Sequence, residues 1–172
     1  MMKNVFLKAI YLLAVFMFTK SAFSQVEDIE IGIDGLTCSQ CTRNVELSIR
    51  KLDFVADVIM NLENTEGKIT LKKDSKIVIS DISKAIFDAG FSVRFITVSY
   101  NFNQTSIKEG FCFEDENAVY LFIKVDSAVL NGKQNIKILG EKYQNRKEFK
   151  QWKDELKGKC DSKEKQFYYV TI

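Results

Sequence analysis

From Glu27 onward hydrophobic and polar positions alternate: Ile29, Ile31 and Ile33 fall on one face, with Asp28, Glu30 and Asp34 on or near the other. That is the pattern of a half-buried strand. After position 38 the period lengthens, and Cys41, Val45, Ile49 and Leu52 recur three and four residues apart while Arg43, Glu46, Arg50 and Lys51 take the remaining positions. One face of this amphipathic helix packs and the other meets water. Val58, Met60 and Leu62 alternate again, residues 63–67 supply a turn, and Ile69 and Leu71 mark a returning strand, so a hairpin is expected. Ile82, Ala85, Ile86 and Ala89 form the stripe of a second helix, with Ser80 placed to cap its start and Gly90 to end it. Residues 91–96 open a fourth strand.

The order strand, helix, strand, strand, helix, strand predicts an α+β unit of the ferredoxin-like, split βαβ type, an antiparallel sheet with two helices on one face. From Val98 the chain turns rich in aromatic residues and lysine, and a second small β-rich domain is expected over 98–172. In it Val119, Leu121, Ile123 and Val125 alternate, Asn131-Gly132 is a two-residue hairpin signal, and Ile136 and Ile138 continue the returning strand. Asn145 with Glu148 resembles a capping box. Phe149, Trp152 and Leu156 then share one face of a single C-terminal helix that Gly158 can end, and residues 166–172 form a closing strand.

The first residues change the picture of where the chain works. Met1 to Lys8 is basic, Ala9 to Thr19 is apolar, and Ala22-Phe23-Ser24 offers small residues for cleavage, so residues 1–24 are expected to be a signal peptide. An apolar run of eleven residues is too short to cross a hydrocarbon core of about 30 Å as a helix. The mature chain, from about Gln25, is therefore expected to be exported, to the bacterial periplasm or outside the cell, and not embedded in a membrane. Without Lys3, Lys8 and Lys20 the chain has 22 basic against 23 acidic residues, a balance that leaves no footprint for nucleic acid.

Candidate chemistry rests on cysteine. The chain has four cysteines, no histidine and no proline. Serine and cysteine catalysis through an imidazole base is excluded, as are zinc sites built on imidazole. Cys38 and Cys41 form a CxxC, with Cys38 on a loop and Cys41 in the first turn of the helix, where backbone N–H groups favour a thiolate. Cys112 and Cys160 are too far apart to form a metal clip, and in an oxidising compartment they are expected to pair as a disulfide.

The loop Gly35-Leu36-Thr37-Cys38-Ser39-Gln40-Cys41 resembles the Gly-Met-Thr-Cys-x-x-Cys loop of the heavy-metal-associated domain, found in copper chaperones, copper-ATPase N-termini and the periplasmic mercuric-ion-binding protein. Val45-Glu46, Ile49, Val55, Val58 and Met60 fit that family's pattern, as does the segment from Ala85 to Phe91. The resemblance covers residues 27–97, so the domain is placed at 25–97. Leu36 stands where the family has methionine, and a leucine keeps the packing volume beneath the loop. Phe91 follows Gly90 where cytosolic chaperones tend to carry lysine, and Thr37 is expected to support the loop through its hydroxyl.

Resemblance and thiolate softness together imply an exported carrier that holds one Cu(I) between Cys38 and Cys41, with Hg(II) or another soft thiophilic ion as the alternative. Such a protein has no turnover chemistry. It passes its ion by ligand exchange to a metal-transporting membrane protein or another metal-binding domain. A rival of a different class is a thiol–disulfide oxidoreductase, in which Cys38 attacks and Cys41 resolves. The absence of proline, and so of the cis-proline that thioredoxins place beside their CxxC, weighs against it. A third reading makes the loop vestigial and the chain an adaptor.

Overall fold

A computed structural model of the chain describes residues 25–162 and 165–172; residues 1–24, where a signal peptide is expected, lie outside the described residues. The first six elements follow the expected order: β1 (Gln25–Asp34), α1 (Ser39–Arg50), β2 (Val55–Asn61), β3 (Glu66–Leu71), α2 (Ile79–Asp88) and β4 (Ser92–Ile107). Then come β5 (Cys112–Glu114), β6 (Ala118–Phe122), β7 (Ala128–Leu139), the short helix α3 (Arg146–Trp152) and β8 (Gln166–Thr171). This is a ferredoxin-like βαββαβ domain followed by a smaller β-rich region with one C-terminal helix. All eight strands belong to one sheet, in the order β2-β3-β1-β4-β7-β8-β6-β5.

The sheet is continuous because β4 is sixteen residues long. Its first half pairs with β1, with Ile96 opposite Ile31 and Val98 opposite Ile29, and its other edge pairs with β7 from Thr97 to Ile107. The strand thus carries the chain through positions 97 and 98, and Tyr100 and Phe102 extend the same buried row as Val93, Ile96 and Val98. Ile29, Ile31 and Ile33 are fully buried, as the alternation predicts, and meet Val45 and Ile49 of α1 and Ile82 and Ile86 of α2 in one core.

Three local expectations are corrected. Ser80 does not cap α2; the N-cap is Val78, without a side-chain bond, and the helix begins at Ile79. The C-terminal region supplies the missing acceptors, since the Tyr168 hydroxyl of β8 accepts from Ser80 N at 3.4 Å and Asn117 Oδ1 accepts from Ile77 N at 2.8 Å. Asn131-Gly132 makes no hairpin, for it lies inside β7. Phe102 faces Gly132 and Thr105 faces Leu130, so the glycine, at φ +71°, sits beside a β-bulge. The long β4 offers a complete pairing edge, and that contact overrides the local turn preference. The strand β6, instead of turning back against β7, pairs with β5 and runs parallel to β8. The last helix stops at Trp152 rather than at Gly158, although Asn145 caps it as expected, its side chain accepting from Glu148 N at 2.9 Å.

On the sheet's second face, in its C-terminal half, Trp152, Leu156 and Cys160 pack on Leu121, Ile123 and Leu139. The expected Cys112–Cys160 disulfide is formed, tying β5 to this covering segment with Cα atoms 6.0 Å apart. Elsewhere in the sheet an ionic cluster joins β1 to its neighbour β3 and, across β4, to β7. Asp28 of β1 lies 2.8 Å from Lys133 of β7 and 3.1 Å from Lys68 of β3. Burial raises the Asp28 pKa, but hydrogen bonds from Lys133, Ser99 and Lys68 together with the Lys133 charge outweigh it and hold the group below its ordinary value.

Two stability outcomes follow from these ties. Replacing both Cys112 and Cys160 by alanine frees a loop of 48 residues. By chain entropy this lowers unfolding stability by about 4 kcal/mol, read by urea titration of the oxidised proteins. Asp28→Asn costs about 1–3 kcal/mol at neutral pH, because a charged hydrogen-bond acceptor is lost. The folded pKa lies below the ordinary value of 3.8, so this stabilisation is complete above that pH and disappears as the pH falls through the depressed pKa. Wild type and variant should then converge in acid.

Candidate functional site

The end of β1 delivers the chain to Gly35, whose φ of +90° turns it into the loop ahead of α1. Leu36 points inward and is 5% exposed, so the aliphatic replacement for methionine does fill the space under the loop. Phe91 closes the loop from the other side, its Cδ1 only 3.6 Å from where a Cβ on Gly35 would stand. Its position is fixed by the end of α2: Gly90, also at φ +90°, donates to Phe87 O at 2.9 Å, and Phe91 N donates to Ile86 O at 3.1 Å. These are the two bonds of a Schellman motif, which explains why a glycine precedes the aromatic residue.

Cys38 is the N-cap of α1. Its Sγ accepts from Cys41 N at 3.2 Å, and its carbonyl accepts from Thr42 N at 3.1 Å and from Thr42 Oγ1 at 3.2 Å. Thr37 is exposed, and the hydroxyl that bonds the loop backbone is that of Thr42, which is buried. The residue pattern did not single out Thr42. Its signal was a threonine four residues after the first loop cysteine, where the side chain reaches back to the i−4 carbonyl. Arg43 and Arg50 both bond Glu46, and Arg50 also reaches Asp57 at 2.6 Å, so these cations serve the helix and its neighbour β2.

The central observation is covalent. Cys38 and Cys41 are joined as a disulfide, with Cα atoms 5.3 Å apart. Cys38 is exposed, while Cys41 is half-buried against the main core. The expected two-thiolate site for Cu(I), with Hg(II) or another soft ion as the alternative, is overturned. Each sulfur spends on its neighbour the electron pair and charge that a thiolate would give a metal. The pair in this state does not fit a soft ion. With it fall the copper-carrier function, the soft metal ion as partner, metal transport by ligand exchange, and the expectation that the chain is no enzyme, since a disulfide on an exposed loop is itself a two-electron oxidant. Cys112 and Cys160 are bonded to each other and take no part here. Among the described residues no group of three or more cysteine or carboxylate side chains converges to hold a metal. A cleft of about 580 Å³ lies at the start of β1, lined in part by Val26, Tyr100 and Asp115, and includes neither Cys38 nor Cys41.

The two cysteines should differ once reduced. After mild reduction, iodoacetamide at neutral pH should label Cys38 several-fold faster than Cys41, because Cys38 is exposed and lies at the helix N-terminus. Peptide mass mapping over a time course reads the order.

Residues 30–92 match the model of the heavy-metal-associated domain. The copper chaperone CopZ of Bacillus subtilis is 36% identical over 69 residues, which are 40% of this chain and 97% of the chaperone. Copper-transporting ATPase 1 of Rhizobium meliloti is 38% identical over 65 residues, but the chain spans only 8% of that protein's length. Among solved structures, oxidized MerP from Ralstonia metallidurans is 30% identical and overlaps 41% of this chain and 97% of its own, at a TM-score of 0.36. The chain belongs to the heavy-metal-associated domain family, through the βαββαβ unit that carries its Cys38–Cys41 loop.

Proposed function

We propose that the chain is an exported thiol–disulfide oxidoreductase whose redox couple is Cys38–Cys41. The observation that carries this reading is the disulfide itself, closed across an exposed helix N-terminus. A partner thiolate attacks the accessible Cys38 Sγ; the Cys38–Cys41 bond breaks and Cys41 departs as a thiolate in the first turn of α1. The partner's second thiol then attacks its own sulfur in the mixed disulfide and releases Cys38. The partner is left oxidised, the CxxC is a dithiol, and the two protons pass through solvent.

The helix supports both leaving groups. Its first turn holds no acidic side chain, and the Cys41 N–H that now meets Cys38 Sγ is positioned to meet the released Cys38 thiolate. In the reverse direction reduced Cys38 attacks a substrate disulfide and Cys41 resolves it. The lack of proline bears on how a substrate strand is held and not on this exchange. The signal-like N-terminus and the second disulfide both favour an oxidising, exported setting.

Insulin reduction with dithiothreitol as electron donor is the direct assay. The wild type should accelerate B-chain precipitation at least tenfold over the Cys38→Ser/Cys41→Ser variant. Cys41→Ser should accumulate a mixed disulfide through Cys38 that mass spectrometry can see. A wild-type rate equal to that of the double variant would refute the assignment.

A further inference from the structure

The segment that covers the second face of the sheet has two sides. Trp152 and Leu156 pack onto Leu121, Ile123 and Leu139. The path stays helical just past Trp152, with Leu156 N donating to Trp152 O at 3.2 Å. Arg146, Lys150 and the C-cap residue Lys153 recur at intervals of four and three, which places them on one stripe of the helix apart from Trp152, with Lys147 beside them and Lys157 following where the chain has left the helix. All five are exposed.

Acidic residues are interspersed in the same segment, yet they do little to neutralise this stripe. Glu148 turns to Lys137 of β7, and Glu155 pairs with Lys124 at 3.1 Å. The segment's own anions are therefore engaged by cations of the sheet and of the loop after β6. Among the described residues none of the five cations is in an ion pair within 4.0 Å, and Asp154 is the remaining acid between Arg146 and Lys157.

We propose that this stripe docks the protein on the surface of an anionic phospholipid bilayer. It goes beyond the redox reading and does not depend on it. Four of the five cations are lysines, compact point charges on flexible stems that lack the rigid fork with which arginine grips a fixed carboxylate or phosphate. Such a set suits a fluid array of headgroups that can rearrange beneath it, better than a folded acidic partner with fixed positions. Clusters of four to eight basic residues mark attraction to anionic lipid, and the stripe reaches that range. No exposed apolar side chain lies on it, so the association is peripheral and electrostatic, with no insertion into the acyl region.

Co-sedimentation of the full mature protein with phosphatidylcholine vesicles, with and without phosphatidylglycerol, tests this. Binding should require the anionic lipid and weaken steeply with salt, as screening shortens to about 8 Å at physiological ionic strength. Lys147→Gln/Lys150→Gln/Lys153→Gln should weaken it roughly a hundredfold. The matched variant Lys72→Gln/Lys73→Gln/Lys76→Gln, which removes the same charge elsewhere, should bind nearly as wild type, and circular dichroism confirms that both fold. Cys38→Ser/Cys41→Ser should bind vesicles unchanged, which separates this test from that of the redox site. Equal binding to neutral vesicles, an unaffected α3 variant, equal loss in the two lysine variants, or displacement by millimolar glycerol phosphate would each overturn the proposal.

Discussion

Strand β4 has two edges, and every polar backbone group along both must find a partner. Over its sixteen residues it takes β1 on one side and β7 on the other. A strand that ended near Thr97 would close the βαββαβ unit with an open edge, and open edges invite association with other chains. By running on to Ile107, β4 compels the C-terminal region to continue the same sheet. The placement of β7, the insertion of β8 between β7 and β6, and the burial of Tyr100 and Phe102 in the common core all depend on that continuation.

The two halves also stabilise each other through side chains at the seam. Tyr168 and Asn117 reach the start of α2, Ser83 of α2 donates to Lys142 O at 2.5 Å, and Asn145 N donates to Arg94 O at 3.1 Å. Tyr100 donates through its hydroxyl to Asp115, which also accepts from the backbone of Asn117 and Ala118. Burial first, and the nearby Asp115 carboxylate second, push the Tyr100 phenol far above its ordinary pKa, which favours the hydroxyl as donor to Asp115. The helix whose C-terminal end sets Phe91 against the CxxC loop is thus anchored at its other end by the C-terminal region. One helix thus links the CxxC loop to the added part of the sheet.

At the loop, one helix N-terminus serves either chemistry open to two thiols. The backbone N–H that meets Cys38 Sγ would favour a thiolate, and thiolates both bind soft ions and exchange disulfides. What separates the outcomes is oxidation state. With Cys38 and Cys41 bonded, the family's loop is present in shape, including Leu36 beneath it and Phe91 beside it, while the electron pairs a metal needs are committed elsewhere. A shared fold thus positions the sulfurs without dictating what they do.

Elements whose signal is local and periodic were readable from the residues alone. Ile29, Ile31 and Ile33 announce β1, Val45 and Ile49 the buried face of α1, Asn145 the cap of α3, and the family loop places Cys38 and Cys41 together. The pairing of Cys112 with Cys160 was legible because only one partner remained for each once the CxxC was assigned. Contacts between residues far apart in the chain decided the rest. Asn131-Gly132 carries a hairpin signal, yet it became part of a bulged strand because β4 presented a longer edge than a hairpin could. Ser80 was a fit cap for α2, but the helix began earlier because Tyr168, eighty-eight residues on, offered an acceptor. The state of Cys38 and Cys41 followed the same rule: spacing fixed that they would meet, and only the folded geometry showed their sulfurs joined.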